Sequence, residues 1–319
     1  MRQELEKVIL EVENVIAGKR NVIEKLLMAL LAGGHVLLDD VPGVGKTTLA
    51  VALSHAMDLA YKRVQFTPDV LPSDLVGFSM YEQSTGKFVY HPGVLNCANL
   101  LLGDEINRAS NKTQSALLEA MEEKQVTVDG STYSLMTPFL VIATQNTVGA
   151  AGSQFLPFAQ IDRFMVRLSV GYPDYDAQMA MLRARQGCNP EDRVQCVMQK
   201  EELLSMQREV KHVSSKEAIL DYITRLTIAS RNHEAVKVGI SPRGAIFLDR
   251  MSKAHAWMDE RDYVTGSDVQ AVFQDVCGHR VLLKDTSDRK NVEEVLSDLV
   301  RTVESPDRRS RFVGMWKKE

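Results

Sequence analysis

The stretch "HVLLDDVPGVGKTTLAVALSHAM", residues 35–57, constrains the fold more than any other part of the chain. A short apolar run enters a glycine-bearing loop, and the loop opens a helix. Backbone amides at such a turn converge on one point, and the helix dipole adds positive potential there, which suits a phosphate group. Gly43 and Gly45 permit the turn, Lys46 reaches the β- and γ-phosphates of a nucleotide, and the Thr47 hydroxyl suits Mg²⁺. Pro42, Val44 and Thr48 complete the loop. The strict pattern G-x-x-x-x-G-K-[ST] would begin with glycine at position 40, where this chain has Asp40. The cradle is built mainly from the later residues. Asp40 is therefore expected to lie outside it, its carboxylate capping the amides of residues 41–43. Its replacement by glycine is expected to leave ATP affinity nearly unchanged.

The first half of the chain alternates short apolar runs with helical patterns, as a parallel sheet with crossover helices requires. Strands are expected at residues 35–38, 63–67, 100–103, 139–143 and 164–168. After "GYPD", residues 171–174, the pattern becomes helical throughout. Ser214 with Glu217 reads as a capping box, Ser241 as a cap with Pro242 in the first turn, and Thr265 as a third cap. Ile219, Tyr222, Ile223 and Leu226 fall at helical spacing, as do Phe247, Met251, Ala254 and Met258. So do Val269, Val272, Phe273 and Val276, and again Val292, Val295, Leu296 and Leu299. The boundary is expected near residue 172, with an α/β core over 1–172 and an all-helical domain over 173–319.

Two further strands end in polar residues that a phosphate loop could use. "NLLLGDEINRA" ends in Asp104, placed to hold Mg²⁺ directly or through water, and Glu105, placed to polarise an attacking water. "PFLVIATQN" ends in Gln145 and Asn146, and an amide there can hold that water or the γ-phosphate. "FAQIDRF" supplies Arg163 and "GISPRG" supplies Arg243, each at the boundary of an element. An arginine stabilises the charge that spreads over a transferring phosphoryl group.

The net charge of −4 over 319 residues gives no sign of a nucleic-acid binder. A basic tail (Arg308, Arg309, Arg311, Lys317, Lys318) reads as a solvated terminal face. Four cysteines without a C-x-x-C pair fit a reducing compartment, and the histidines show no metal-site spacing. The start has no apolar signal core, and no apolar run is long enough to span a bilayer. A cytoplasmic location is expected.

"GGHVLLDDVPGVGKTT", "DLVGF", "LLLGDEINRAS", "ALLEAMEEKQVTVDG", "FLVIATQN", "IDRF", "GYPD" and "SPRG", in this order, resemble the MoxR family of AAA+ ATPases. The resemblance runs from "VIAGK" to about Ser305. It implies an αβα nucleotide-binding core, a helical lid, and rings, usually of six, with ATP and Mg²⁺ at each subunit interface. Lys46 and Thr47 match the Walker A pair, and Asp104 and Glu105 match Walker B. Asn146 matches sensor 1, Arg243 sensor 2, and Arg163 the arginine finger given to a neighbour. Ile16, Ala17 and Gly18 match the segment lining the adenine pocket. Residues 66–93 resemble the helix-2 insert and residues 126–134 the hairpin before sensor 1. The family resembles chaperones for maturation or metal insertion that work with a separate von Willebrand type A domain protein. The alternatives are a magnesium-chelatase-like ATPase subunit or a nucleic-acid motor of the same clade. The chain departs from the family at Thr147, at Gly103, and in the loop "VGAAGSQFLPFAQ", which lacks the usual acidic residues.

Overall fold

The computed structural model describes residues 1–145, 156–186, 189–284 and 290–307. The chain begins with α1 (Gln3–Glu13) and α2 (Arg20–Leu31), then enters β1 (Val36–Asp39), the phosphate loop and α3 (Lys46–Ala56). β2 (Tyr61–Gln65), the short α4 (Pro72–Val76) and a hairpin of β3 (Gly77–Glu82) and β4 (Lys87–Pro92) follow. Next come β5 (Leu100–Asp104), α5 (Asn111–Glu123), a second hairpin of β6 (Gln125–Val128) and β7 (Ser131–Ser134), and β8 (Leu140–Gln145). A single turn, α6 (Phe158–Ile161), leads into β9 (Val166–Leu168) and α7 (Tyr175–Ala184). The rest is helical except for one small antiparallel pair. It comprises α8 (Lys200–His212), α9 (Glu217–Asn232), β10 (Val236–Val238), α10 (Pro242–Met258), α11 (Gly266–Cys277), β11 (Leu282–Leu283) and α12 (Lys290–Thr302).

Five strands form one parallel sheet in the order β2-β5-β8-β1-β9. β5 and β8 are buried along their whole length because helices cover both faces, so their sequences are nearly continuous apolar runs. β2 lies at an edge and carries Lys62 and Arg63 outward. Period-two alternation sorts the apolar side chains onto the two faces. Val36, Leu38, Leu100, Leu102, Leu140 and Ile142 join the core built with α1, α2, α3 and the later helices. Leu37, Leu101, Val141 and Ala143 face a second core under α5 and the hairpins.

The helical half is fastened to the end of α2. A helix leaves its last carbonyls without partners. Here Gln207 donates to Leu30 O at 2.7 Å, and Arg250 donates to Ala32 O and to Gly33 O. Arg2 lies over the Trp257 ring, 3.9 Å from its centroid, and donates to the Trp257 carbonyl. The apolar faces expected of α9, α10, α11 and α12 are the buried ones, with Phe247 and Val292 only half buried. Ser241 caps α10 through Gly244 N, and Thr265 caps α11 in a capping box with Asp268. The expected box at Ser214 is absent. Helix α9 starts at Glu217 behind Lys216, and Ser214 instead bridges to Tyr263.

His35 pins the N-terminal edge of the sheet. Its Nδ1 accepts from Val141 N at 3.0 Å and its Nε2 lies 3.0 Å from Met121 O, so Nε2 carries the proton. Met165 N donates to the His35 carbonyl at 2.8 Å. Burial pushes the imidazole from 6.5 down to about 4. Between those values the unfolded chain binds the proton and the folded chain does not. The stability contribution is therefore full above about pH 6.5 and is lost as pH falls through about 4. His35→Leu should lower Tm at neutral pH and flatten the fall of Tm between pH 6.5 and pH 4. Parallel Tm–pH curves for the two proteins would remove His35 as the titrating group.

Candidate active site

In a parallel sheet all C-terminal strand ends lie at one edge. That edge gathers the phosphate loop after β1, Asp104 and Glu105 after β5, and Gln145 at the end of β8. Gly43 and Gly45 take the left-handed φ values of +83° and +93° that the loop needs and that side-chain-bearing residues disfavour. Lys46 opens α3, buried, with Nζ donating to the Asp40 carbonyl at 3.1 Å. Burial pushes its pKa down, and the carboxylates of Asp40, Asp104, Asp39 and Glu105 oppose that shift. Thr47 and Thr48 stand half buried beside it. Pro42 and Gly43 are exposed at the mouth of the loop.

Asp104 is buried and held on both oxygens. Arg63 donates to Oδ2 at 2.8 Å, and the Thr144 hydroxyl donates to Oδ1 at 3.1 Å. Glu105 takes a left-handed φ of +54°, rare for a side-chain-bearing residue, which turns it out of the strand direction. Its amide donates to Thr144 Oγ1 at 2.9 Å, and its Oε2 accepts from Gln65 at 3.1 Å and Arg108 at 2.7 Å. Thr144, Arg63, Gln65 and Arg108 thus orient the two acids. Nothing in their local sequence pattern singled them out, although Thr144 precedes the amide pair already noted. Gln145 is buried with Oε1 unpartnered. Asn146 lies outside the described residues. The donor set of Thr47 hydroxyl and Asp104 carboxylate, all oxygen and surrounded by further carboxylates, fits Mg²⁺. At Gly103 an added Cβ would stand 3.0 Å from the Phe66 ring, close enough that the ring would have to shift.

The segment expected to line the adenine pocket also reaches the loop. Ile16 packs against it: a Cβ added at Gly45 would lie 3.2 Å from Ile16 Cδ1. Ala17 is half buried, and Gly18 runs under α7 close to Ala177. Lys19 Nζ donates to the Tyr172 carbonyl at 2.8 Å, which ties this segment to the junction after β9.

Arg163 and Arg243 are not at this edge. Both pair with Glu122 at the end of α5, Arg163 at 3.1 Å from Oε2 and Arg243 from the other oxygen. The neighbouring Met121 carbonyl is the partner of His35, just before β1. Glu122 therefore marks the N-terminal edge, one strand length from the end of β1 where the phosphate loop begins. For the four residues of β1 that is about 13 Å at ~3.3 Å per residue.

Asp40 departs from its expected role. Its carboxylate caps Val41 N at 2.9 Å as expected, but it is buried and its other oxygen accepts from Ser169 Oγ at 3.1 Å and Gly171 N at 2.7 Å. It thus ties the phosphate loop to the chain leaving β9. Glycine at this position would leave the Gly171 amide without its acceptor. The expectation of a silent substitution is therefore reversed: Asp40→Gly should weaken ATP binding about tenfold, or ~1.4 kcal/mol. Calorimetry with a slowly hydrolysed ATP analogue measures this, and an unchanged affinity would show the tether to be idle.

The chain is similar to known proteins along most of its length. Residues 35–166 match the model of the ATPase family associated with various cellular activities (AAA), and residues 228–299 match that of the AAA lid domain. YeaC of Bacillus subtilis is 42% identical, with 96% of each chain covered. Chaperone MoxR1 of Mycobacterium tuberculosis is 37% identical over 95% of this chain and 82% of its own. Protein MoxR of Methylorubrum extorquens is 30% identical over 92% of this chain and 91% of its own. A solved Cytophaga hutchinsonii protein assigned as an ATPase superimposes with a TM-score of 0.85 at 37% identity, covering 95% of this chain and 94% of that one.

Proposed function

Since the chain belongs to the MoxR family of AAA+ ATPases, we propose that it works as a ring, of six copies, in which each nucleotide is cut between two subunits. Family membership makes it a nucleotide-binding ATP hydrolase of chaperone-like function. The finer reading is that hydrolysis remodels, matures or helps load metal into a separate protein carrying a von Willebrand type A domain. Residues 1–172 form its nucleotide core and 173–319 its lid, acting in the cytoplasm. Among the described residues no helix is long and apolar enough to cross a membrane.

One observation carries the two-subunit reading: Arg163 and Arg243 share Glu122 at the edge opposite their own phosphate loop. Across the sheet neither arginine meets its own phosphate loop, which supports assigning both to another copy's γ-phosphate. Glu122 is 43% exposed and each arginine 34%, so these pairs contribute only about 0–1 kcal/mol and release readily to a phosphate.

The roles then divide by contact. Lys46 and the loop amides bind the phosphates, with Ile16, Ala17 and Gly18 on the base side. Glu105, its carboxylate steered by Gln65 and Arg108, accepts the proton of the attacking water. Asn146, which the resemblance matches to sensor 1, orients that water. Thr47 and Asp104 would hold Mg²⁺, which would supply positive charge against the phosphates.

Lys46→Ala should abolish measurable ATP binding. Glu105→Gln should bind ATP as the parent does and lose hydrolysis by about 10²–10⁴-fold. Calorimetry paired with phosphate release separates the two effects, and parental turnover in Glu105→Gln would show that another group is the base.

Arg163→Ala and Arg243→Ala should each keep ATP affinity and lose turnover by about 10³-fold or more. Mixing either with Lys46→Ala should restore part of the activity, because one subunit brings an intact pocket and the other intact arginines. Turnover per subunit that stays flat on dilution to monomers would sink the shared-site reading.

A further inference from the structure

Among the described residues, Arg280 is the largest side chain that is completely buried. A buried guanidinium is tolerated only when its donors are met. Its partners bracket Arg163 on both sides. Nε donates to Asp162 Oδ1 at 2.9 Å, and Nη2 donates to the Asp162 carbonyl at 2.8 Å and the Phe164 carbonyl at 2.5 Å. Nη1 donates to the Met165 carbonyl at 3.2 Å and to the Val276 carbonyl, and it contacts the His279 ring. Arg280 follows α11, so these bonds join the helical half directly to the segment that carries Arg163.

The first turn of α10 holds the same carboxylate. The Ser241 hydroxyl donates to Asp162 Oδ1 at 2.8 Å while it caps the helix through Gly244 N. Gly244 lets Arg280 pass: a Cβ there would stand 2.6 Å from Arg280 Cδ. The Phe247 ring, one turn further along, lies with its centroid 5.2 Å from the guanidinium carbon. The four residues of "SPRG" are therefore explained together. Ser241 grips Asp162, Pro242 starts the helix, Arg243 reaches Glu122, and Gly244 clears the path for Arg280.

We propose that Arg280 and Asp162 are positioning residues for both arginines, locking residues 162–165 to the first turn of α10. Arg163 and Arg243 are then presented to the neighbouring subunit as one unit. A movement of the helical half carries both together and sets hydrolysis in the next pocket. This rests on the reading that the two arginines serve a neighbour.

Two variants test it. Asp162→Asn keeps the shape and removes the charge. Arg280→Lys keeps the charge and removes the planar fork, and Asp162→Asn still decides the matter if that variant fails to fold. The expected result is unchanged ATP affinity with turnover lowered about 10²-fold or more. Each variant should behave as a defective donor and a sound acceptor. Mixing it with Lys46→Ala should restore activity, and mixing it with Arg163→Ala should not. A purely structural defect damages the variant's own pocket, so no mixture rescues it. That outcome overturns the proposal, as does parental turnover in Asp162→Asn. The control pair, Arg163→Ala with Lys46→Ala, separates the two levels. Silence there removes the shared site and the proposal with it. A working control with an unrescued or unimpaired Asp162→Asn removes the clamp alone.

Discussion

A parallel sheet has two unlike edges, and this molecule is organised by that inequality. Every strand of the order β2-β5-β8-β1-β9 delivers its C-terminus to the same side. The phosphate loop, Asp104, Glu105 and Gln145 must therefore assemble there. The return helix α5 and the chain entering β9 must come back to the opposite side, which is where Glu122 and Arg163 lie. The helical half adds Arg243 to that same side because α10 begins against Asp162. On the proposed reading, one chain carries the binding half of a phosphoryl-transfer site on one edge and the charge-stabilising half on the other. The length of the strands keeps the two halves apart, which is why the proposed function assigns them to different copies.

The chemistry-bearing edge was legible in the sequence because it is local. Strand, loop, glycines and lysine follow one another in a single stretch, and the acids follow their own apolar run. Strand positions were legible to within about two residues, and the shifts have physical causes. Phe66 reads as strand but is withdrawn into the second core beside Gly103, so β2 ends at Gln65. Phe164 reads as strand but its carbonyl is claimed by Arg280, so β9 begins at Val166. What stayed hidden is non-local. His35 meets Met121 and Val141, Asp40 meets Gly171, and Arg280 meets Asp162, over sequence separations of 86 to 131 residues. Nothing in the residues around Asp40 announces its partner, so its carboxylate read as an idle substitution. Ser214 failed for the converse reason: a correct local cap pattern lost to a bridge with Tyr263.

The ion pairs on the arginine edge differ in burial, and on the proposed reading that difference bears on catalysis. Arg163 and Arg243 end on a half-exposed Glu122, where solvent screens the attraction and release costs little. Asp162 and Arg280 lie beneath them. Arg280 is wholly excluded from water and Asp162 largely so, and solvent screens such a pair far less. A group that stabilises a developing charge is most effective when its scaffold needs no rearrangement at the moment of reaction. Yet the same group must leave its resting partner when a phosphate arrives. A rigid base with a weakly held tip meets both requirements. On the proposed reading, the steep change in burial from Arg280 to Glu122, across the adjacent residues Asp162 and Arg163, supplies both.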